Sequence, residues 1–370
     1  MVSLPDPAAL AEAVRRQAAE LGFQACGIAG IDLSADEERL MAWLRRGRQG
    51  TMHFMGRHGR KRARPAHLFP GARTVISVRM DYSPPGATDP RAVLADGERA
   101  YVSRYAVGRD YHKLMRRKLQ RLAEWLVERT GPFGYRAFVD SAPVLEKALA
   151  RNAGLGWIGK NTLLLSRDAG SYFFLGELYT DLDLPPAQPP TGHCGSCRAC
   201  LHACPTGAIT GPYQLDATRC ISYLTIEHQG PIPEALRPAL GNRIFGCDDC
   251  QLCCPWNRYA RPAADDDYRP RHGLDTAALV ELFQWDEATF LERTAGSAIR
   301  RLGHERWLRN LAVALGNAPT NETVVAALRA RANHPSPLVR EHVQWGLHRH
   351  CSPKGSSRHG GSAPTTTLFS

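Results

Sequence analysis

The cysteines are the residues of this 370-residue chain whose type and spacing most directly predict chemistry. Nine of the eleven cysteines fall between Cys194 and Cys254, and only Cys26 and Cys351 lie outside that window. A reducing cell interior disfavours disulfides, so thiols placed this densely along an intracellular chain indicate metal binding.

Two motifs of the bacterial ferredoxin type divide this window. The first, Cys-x2-Cys-x2-Cys-x3-Cys-Pro, covers residues 194–205. The second, over residues 247–255, lacks the leading cysteine, which Cys220 can supply. In such runs three thiolates hold one [4Fe-4S] cluster and the fourth reaches the other cluster. The ligands predicted for the first cluster are Cys194, Cys197, Cys200 and Cys254, and those predicted for the second are Cys204, Cys220, Cys247 and Cys250.

A pair of zinc sites is the alternative, since Cys-x2-Cys pairs also bind tetrahedral zinc. The Cys-Pro ending of both motifs favours iron–sulfur clusters, because zinc sites do not need it. Two-cluster ferredoxins use that turn to direct the fourth thiolate towards the neighbouring cluster. Cys253 belongs to neither set. Two clusters this close would transfer electrons rapidly, so the chain is predicted to conduct electrons to another site.

The elements that would position that other site lie between Leu21 and Tyr179, where helical and strand patterns alternate and predict an α/β or α+β domain. Asp140 stands where a predicted strand ends and a predicted helix follows, an edge at which α/β sheets bind ligands. The alternative is that Asp140 or Ser141 caps that helix. The predicted helices cover residues 10–21, 111–128 and 145–153, and the predicted strands cover residues 74–78, 137–139, 162–165 and 172–179.

Composition divides the chain into four parts. Residues 185–190 are rich in proline and predict a stiff linker, so the first domain is expected to span residues 1–184. The cysteine module follows over residues 185–262. Residues 263–350 predict an all-α segment of the HEAT type, from two helical patterns around Leu308 and Val343. The Ser/Gly/Thr-rich residues 351–370 predict a disordered tail.

The charge balance predicts an anionic partner. The net charge is +11, and residues 57–64 form a dense basic run. Residues 300–370 hold ten Lys and Arg against three Asp and Glu. Surfaces of this kind suit the phosphates of a nucleic acid, although a solvated, solubilising surface is the alternative.

A hydrophobic content of 43 % with 22 % charged residues is typical of soluble domains. No apolar run approaches the roughly 18 residues of a membrane span. The pattern around Leu10, Val14 and Leu21 predicts an amphipathic helix rather than a signal peptide. We therefore expect a cytoplasmic protein with no membrane partner.

Three segments carry a resemblance to a known family: VDSAPVLE at residues 139–146, GWIGKNT at 156–162, and the cysteine block with CISYLTIE at 220–227. Together they resemble the epoxyqueuosine reductases, and the match covers about residues 10–350. The resemblance implies a cobalamin-binding N-terminal domain that faces a two-cluster ferredoxin module. A HEAT-like C-terminal segment would help to hold the anticodon arm of a transfer RNA.

The activity that the resemblance implies is removal of the epoxide oxygen from epoxyqueuosine at the wobble position of tRNA. This reaction gives queuosine and water, and it is the last step of queuosine biosynthesis. An epoxide is a poor electron acceptor, so a low-potential cofactor such as reduced cobalamin must supply the chemistry. The signature D-x-H-x-x-G is absent, because Asp110 and His112 are followed by Met115 and not by glycine. We therefore expect a base-off corrinoid without a lower ligand from the protein.

The resemblance also implies individual residues. Asp140 would give a proton to the epoxide oxygen, which requires a pKa raised by burial beside the corrin. A lysine in a loop is otherwise usually solvated, and residues beside cluster ligands can simply satisfy turn backbone. Arg62 and Ser103 align with cobalamin-contacting positions of the family. Trp157, Lys160 and Asn161 lie in a glycine-flanked loop whose backbone can approach a flat cofactor closely. Ser222 and Asp248 adjoin cluster ligands, and together with Asp140 all of these residues are expected to contact the cofactor.

Two other readings share some of these features. A corrinoid reductive dehalogenase also couples two clusters to cobalamin, but Arg15 and Arg16 lie in an amphipathic helix with no apolar export segment after it. A plain electron-transfer protein would leave Asp140 and the basic helical segment without a role. The partners expected are a tRNA with a queuosine-type anticodon loop and a low-potential electron donor, with the protein acting as a monomer.

Overall fold

The computed structural model describes residues 6–351. Its helices are α1 Pro7–Glu20, α2 Ser34–Arg45, α3 His53–His58, α4 Pro65–Leu68, α5 Pro90–Ala95, α6 Tyr111–Thr130, α7 Glu146–Asn152, α8 Ala199–Ala203, α9 Arg237–Leu240, α10 Asp249–Leu252, α11 Leu279–Gln284, α12 Glu287–Arg293, α13 His304–Asn317, α14 Glu322–Ala330 and α15 Pro337–Cys351. Its strands are β1 Ala25–Gly30, β2 Thr74–Asp81, β3 Tyr101–Val102, β4 Tyr135–Val139, β5 Trp157–Ile158, β6 Leu164–Leu165, β7 Phe173–Thr180, β8 Ile209–Gly211, β9 Gln214–Leu215 and β10 Arg243–Phe245.

A four-stranded sheet in the order β1-β2-β7-β4 organises the N-terminal half. Every neighbouring pair of strands in this sheet is antiparallel. Of the two predicted fold classes, α/β and α+β, the domain therefore belongs to α+β. The predicted strands over residues 74–78, 137–139 and 172–179 are confirmed as parts of β2, β4 and β7. The strand predicted over 162–165 is shorter, and as β6 it pairs with β5 outside this sheet.

Helices cover both faces of the sheet. Side chains alternate along β2, so Ile76 and Val78 pack beneath α1 and α6, whereas Val75 faces α7. Helix α6 buries Met115 and Leu119 on its sheet side, a spacing that the 3.6-residue period of a helix requires. Because both faces are covered, all eight residues of β7 are buried, including the carboxyl of Glu177.

The cysteine module is built from short elements and packs against the first domain. The proline-rich linker lies along β1, where Ala187 N donates to Ile28 O at 2.8 Å. Strand β10 pairs in parallel with β3, and this pairing fixes the cysteine loop that follows Phe245. One turn of π-helix, Tyr223–Glu227, comes soon after Cys220. Such turns are frequent at functional sites.

The C-terminal segment is all-α, as predicted. Helices α13 and α15 form around the two predicted apolar patterns, and α14 between them was missed. Val102 of β3 and Phe245 of β10 share one hydrophobic core with Trp307 and Leu311 of α13. The segment therefore packs on the cysteine module and the first domain through a common core. The predicted tail lies outside the described residues except for Cys351, which ends α15.

Candidate active site and cysteine sites

The first predicted ligand set surrounds one cavity. Cys194, Cys197, Cys200 and Cys254 all line a space of about 230 Å³. The thiols of Cys194, Cys197 and Cys254 all lie close enough to that of Cys200 to contribute to its raised pKa, so the placement is compatible with a fourth ligand from the second motif. Cys253 does not line this cavity, as predicted.

The second predicted set lies deeper in the protein. The thiols of Cys204 and Cys220 lie close enough to that of Cys250 to contribute to its raised pKa. Ser222 Oγ donates to the backbone carbonyl of Cys247 at 3.4 Å, which brings the fourth member to the same place. The crossed arrangement inferred from the motifs is thus compatible with both groups of side chains.

Three of the residues predicted to contact cobalamin lie beside the first cysteine set. Lys160 Nζ donates to the carbonyl oxygens of Gly195 and Cys197, at 2.5 and 2.8 Å. Asn161 lines the same cavity, and its Nδ2 donates to Cys250 O at 3.3 Å. The ammonium of Lys160 is therefore not free, because it binds the loop that carries the first cysteines.

Trp157 lies on the same side of the molecule. Its ring packs edge-on against Trp256, with the ring centroids 5.1 Å apart, and it also contacts His193. The structure thus separates Trp157 from Asp140 and Arg62, which line a second, central cavity. Contacts of Trp157, Lys160 and Asn161 with a corrin stay a prediction.

Ser103 and Asp248 are brought together near the second cysteine set. Ser103 Oγ donates to Asp248 Oδ1 at 2.6 Å, and Tyr101 Oη donates to Asp248 Oδ2 at 2.8 Å. The backbone N–H of Arg104 donates to the same carboxylate. Asp248 is buried and satisfied by these donors, so it joins β3 to the cysteine loop.

The central cavity has a volume of about 640 Å³ and lies between the sheet, the π-turn and the C-terminal helices. Seven of its seventeen lining residues are aromatic and seven are charged or carry a hydroxyl or amide group without an aromatic ring, three of them arginines. The residues that line it are Phe54, Arg62, Tyr82, Tyr105, Tyr111, Asp140, Ser141, Phe173, Phe174, Ile226, Glu227, Gln229, Phe245, Ala298, Arg301, Leu302 and Arg306.

Asp140 enters this cavity from the end of β4. Its backbone has a φ of +26°, which L-residues rarely adopt. The following helix, α7, begins only at Glu146, and its N-cap residue Leu145 makes no side-chain capping bond. The capping role considered for Asp140 or Ser141 is therefore wrong. A strained backbone that presents a half-exposed carboxyl to a cavity is typical of a functional residue.

A chain of three ionisable residues ends at Asp140. His112 Nδ1 is hydrogen-bonded to Asp110 Oδ1 at 2.6 Å, and His112 Nε2 lies 3.3 Å from Asp140 Oδ2, within ion-pair distance. Burial opposes a charge on His112, but the hydrogen bonds to Asp110 and Asp140 outweigh it and raise the pKa of His112 to about 9. The imidazole is therefore protonated at neutral pH.

The expected raised pKa of Asp140 is wrong for this arrangement. Burial would raise the pKa of Asp140, but hydrogen bonding with His112 and Tyr111 outweighs burial and lowers it. Within the His112–Asp140 pair, the proton is therefore carried by the imidazole. Sequence reasoning missed this residue, although Asp110-x-His112 was noted; a histidine two residues after a helix-capping aspartate was the available signal.

Two buried carboxyls behind Asp140 were also missed. Burial and the charge of Asp140 raise the pKa of Glu146 to about 8. Burial, with the neighbouring charge of Glu146, raises the pKa of Glu177 well above its usual value. Burial thus favours the neutral form of both side chains, whereas the pKa of Asp140 shifts in the opposite direction.

The basic run over residues 57–64 is divided between the interior and the surface. Arg62 is buried, lies over the ring of Phe54 and lines the central cavity. Arg64 makes a bidentate ion pair with Glu37, at 2.7 and 2.8 Å. The exposed members are Arg57, Arg60 and Lys61.

Most arginines of the C-terminal helices bind backbone carbonyls. Arg309 is fully buried and donates to the carbonyls of Leu224, His228 and Gly230. Arg306 donates to Ile226 O at 3.0 Å. The excess of basic residues after position 300 is therefore largely structural within the described part of the chain, and it overstates the surface available to phosphates.

Comparisons with known proteins agree with this arrangement. The family model described as "Epoxyqueuosine reductase QueG, DUF1730" matches residues 62–141, and the model described as "4Fe-4S double cluster binding domain" matches residues 193–257. Among curated proteins, the epoxyqueuosine reductase of Pseudomonas aeruginosa is 62% identical, over 94% of this chain and 97% of its own. That of Escherichia coli K12 is 54% identical, over 91% and 89%.

Solved structures give the same result. A crystal structure of epoxyqueuosine reductase with an epoxyqueuosine-modified tRNA-Tyr stem loop superposes with a TM-score of 0.84 at 27% identity, covering 93% of this chain and 91% of that chain. The enzyme from Streptococcus thermophilus superposes with a TM-score of 0.80 at 28% identity, covering 92% and 90%. None of the helices in the described residues has the length and apolar character to cross a bilayer.

Proposed function

The chain belongs to the epoxyqueuosine reductase family, and from that membership we propose that it removes the epoxide oxygen of epoxyqueuosine in tRNA, in the central cavity beside Asp140. The observation that carries this proposal is the position of the cavity. It lies between the proton-bearing chain that ends at Asp140 and the loop of the second cysteine set. Protons and electrons can therefore meet in one place.

The residues of the cavity fit a bound cobalamin. Aromatic rings of Tyr105, Phe174 and Phe245 offer flat apolar walls to a planar macrocycle, and polar groups at the rim can meet its amide side chains. Buried Arg62 Nε has no hydrogen-bond partner within residues 6–351, so this N–H group is available to donate to a bound ligand. Among the described residues that line the cavity none is histidine, which fits a corrinoid without a histidine lower ligand from the protein.

Bound cobalamin would supply the low-potential reductant that opens the epoxide, and the protein would supply its electrons and protons. Phe245 lines the cavity, and Cys247 of the second set follows it by two residues. On the other wall, Ile226 and Glu227 end the π-turn that follows Cys220. Electrons would therefore pass from the first cluster to the second and then into the cavity.

The reaction consumes two electrons and two protons per epoxide oxygen, which leaves as water. Asp140 and Glu227 are the two carboxyls among the described residues that line the cavity, and only Asp140 has a protonated imidazole beside it, at His112 Nε2. A proton moving from His112 to Asp140 Oδ2 and on to the epoxide oxygen would neutralise the alkoxide as the ring opens. Asp110, bound to His112 Nδ1, would hold the imidazole in the required orientation.

The tRNA would approach the open mouth of the cavity. Arg301 lines that mouth, 3.7 Å from Asp110, and the exposed residues of the 57–64 run lie near Phe54 on another side of it. These cations suit the phosphates of an anticodon loop.

The cytoplasmic location, the monomeric state, the domain limits and the HEAT-like character of the C-terminal segment stay predictions.

Anaerobic incubation with epoxyqueuosine-containing tRNA, dithionite and cobalamin tests the proposal. Digestion of the tRNA and mass spectrometry of its nucleosides should show a product lighter by one oxygen atom, equal to queuosine. Conversion should require both cobalamin and iron–sulfur clusters. A protein that carries both and leaves epoxyqueuosine unchanged would contradict the proposed function.

A further inference from the structure

We propose that the surface around the first cysteine set is the docking face for an acidic, low-potential electron-carrier protein. This inference rests on the proposed function, because the reaction needs electrons from outside the chain. It adds the place where they enter and the charge of the protein that brings them.

The first cysteine set is the one that reaches the surface. The thiol-bearing residue Cys197 is exposed, and the cavity that it lines with Cys194 is open to solvent. The second set lies behind it, next to the wall of the central cavity formed by Phe245. Electron transfer slows steeply with distance, so a protein donor has to approach the first set.

Arginines surround this opening. Arg198 follows Cys197, is exposed, and has no ion-pair partner within residues 6–351. Arg258 lines the cavity and donates to Tyr259 Oη at 2.6 Å. Exposed Arg167 holds the ring of His193, with Nε and Nε2 3.1 Å apart.

Acidic residues are few around this opening. None of the described residues that line it is Asp or Glu. Asp168, which follows Arg167, is 66% exposed, but it is paired with buried Arg79 at 3.1 Å. The face is therefore positive, whereas Glu37 neutralises Arg64 in the basic run near the central cavity.

Aromatic side chains provide the apolar part of the face. Trp256 lines the opening, and Tyr259 beside it is 40% exposed, with the two ring centroids 5.9 Å apart. A few exposed aromatic rings inside a ring of like charges suit a small, transient interface. Complementary charge then sets the association rate more than the affinity. The matching partner is an electron carrier whose cofactor is surrounded by carboxylates.

The test measures cluster reduction by a reduced acidic bacterial flavodoxin in anaerobic stopped flow. Arg167→Glu combined with Arg198→Glu should lower the second-order rate constant about tenfold or more at low ionic strength. The matched control, Arg16→Glu with Arg45→Glu, makes the same change in net charge on α1 and α2. The rate constant of this control should stay within about twofold of the wild type, because its substitutions do not change the local electrostatic field at the docking face.

Dithionite, a small reductant that needs no docking face, should reduce the clusters of all three proteins to the same extent. Equal rates with flavodoxin for the rim variant and the control would overturn the proposal. So would a wild type whose clusters flavodoxin does not reduce. Conversion of epoxyqueuosine with dithionite is scored separately, so failure of the docking face is distinguishable from failure of the proposed function.

Discussion

Two adjacent cysteines, Cys253 and Cys254, have different surroundings. Cys254 lines the cavity of the first set, whereas Cys253 Sγ lies 3.6 Å from the backbone carbonyl of Cys250. We expect Cys253→Ser to retain about eight irons per chain after anaerobic reconstitution, and Cys254→Ser to lose iron from one cluster. Iron and acid-labile sulfide analysis measures both. Equal iron loss in the two variants would contradict the ligand assignment.

His112 gives the reaction a predicted dependence on pH. Folding raises the pKa of His112 from its usual 6.5 to about 9. The stability that the charged imidazole contributes is therefore fully present below pH 6.5, and it is lost, together with the charge, as the pH rises through about 9. The single-turnover rate of the wild type should fall over the same upper range.

His112→Gln is the matching variant. It keeps a hydrogen-bonding side chain between Asp110 and Asp140 but cannot carry the proton, so its rate should be lower and the fall near pH 9 should be absent. Bound cobalamin and cluster absorbance should match those of the wild type. An unchanged pH profile in His112→Gln would show that the proton comes from elsewhere.

At the scale of residues, local patterns were sufficient for the cysteines but not for the acid chemistry. Cysteine spacing limits which thiols can share a cluster, and the side chains of both proposed sets lie in two groups compatible with it. The pKa of Asp140 depends on His112 and Tyr111, which lie on another element and reach it only through packing. No pattern along the sequence shows that contact.

At the scale of elements, the short pair β3–β10 has a prediction of its own. Gly246 follows β10 with a φ of +74°, and a Cβ there would come within 2.5 Å of Ser103 Cβ. Gly246→Ala should therefore destabilise the protein by roughly 1–3 kcal/mol. Because Cys247 is next in the chain, the second cluster should also be lost more readily.

Gly30→Ala is the control, since a Cβ there meets nothing within 4 Å. Thermal unfolding of cluster-loaded protein, followed by circular dichroism and by cluster absorbance, compares the two variants. A Tm for Gly246→Ala equal to that of Gly30→Ala would show that β3 and the cysteine loop are not held by this close approach.

Element prediction succeeded where apolar periodicity is long. Helices α6 and α13 bury regular faces, so their patterns were clear. Strand β3 has two residues and strand β10 has three, too few for an alternating pattern of apolar and polar residues to be recognised. Strand order was also beyond reach, because β7 inserts between β2 and β4 through contacts that are distant in the sequence.

At the scale of the whole molecule, charge predicts how tRNA binding responds to salt. The logarithm of the association constant for an anticodon stem loop should fall linearly with the logarithm of the salt concentration, with a slope of about one per phosphate contact. Arg57→Gln with Lys61→Gln should lower that slope by about two. Arg16→Gln on α1 is the control, and fluorescence anisotropy across a salt series is the measurement. If the double variant left the slope unchanged, residues 57–64 would not contribute phosphate contacts to tRNA binding.

The predicted domain limits follow composition, but the packing crosses them. Val102 belongs to the first domain and Phe245 to the cysteine module, yet both lie in the core of the C-terminal helices. Composition reveals linkers such as residues 185–190. It does not reveal that three segments close around one central cavity, which is where the function is proposed to reside.

The central claim is that electrons from the cysteine module and a proton from the His112–Asp140 pair meet on the epoxide in that cavity. Single-turnover conversion of epoxyqueuosine tRNA by pre-reduced, cobalamin-loaded enzyme tests it most directly, because slow cluster reduction is excluded. Asp140→Asn preserves shape and tolerates the positive φ, but it cannot pass on a proton. Ser141→Ala, at the neighbouring cavity residue, is the matched control.

The account predicts normal clusters and cobalamin binding in Asp140→Asn, with the single-turnover rate lowered roughly 10²-fold or more. Ser141→Ala should stay within about tenfold of the wild type, since its hydroxyl binds only the carbonyl of Val139. A wild-type rate in Asp140→Asn would contradict the account.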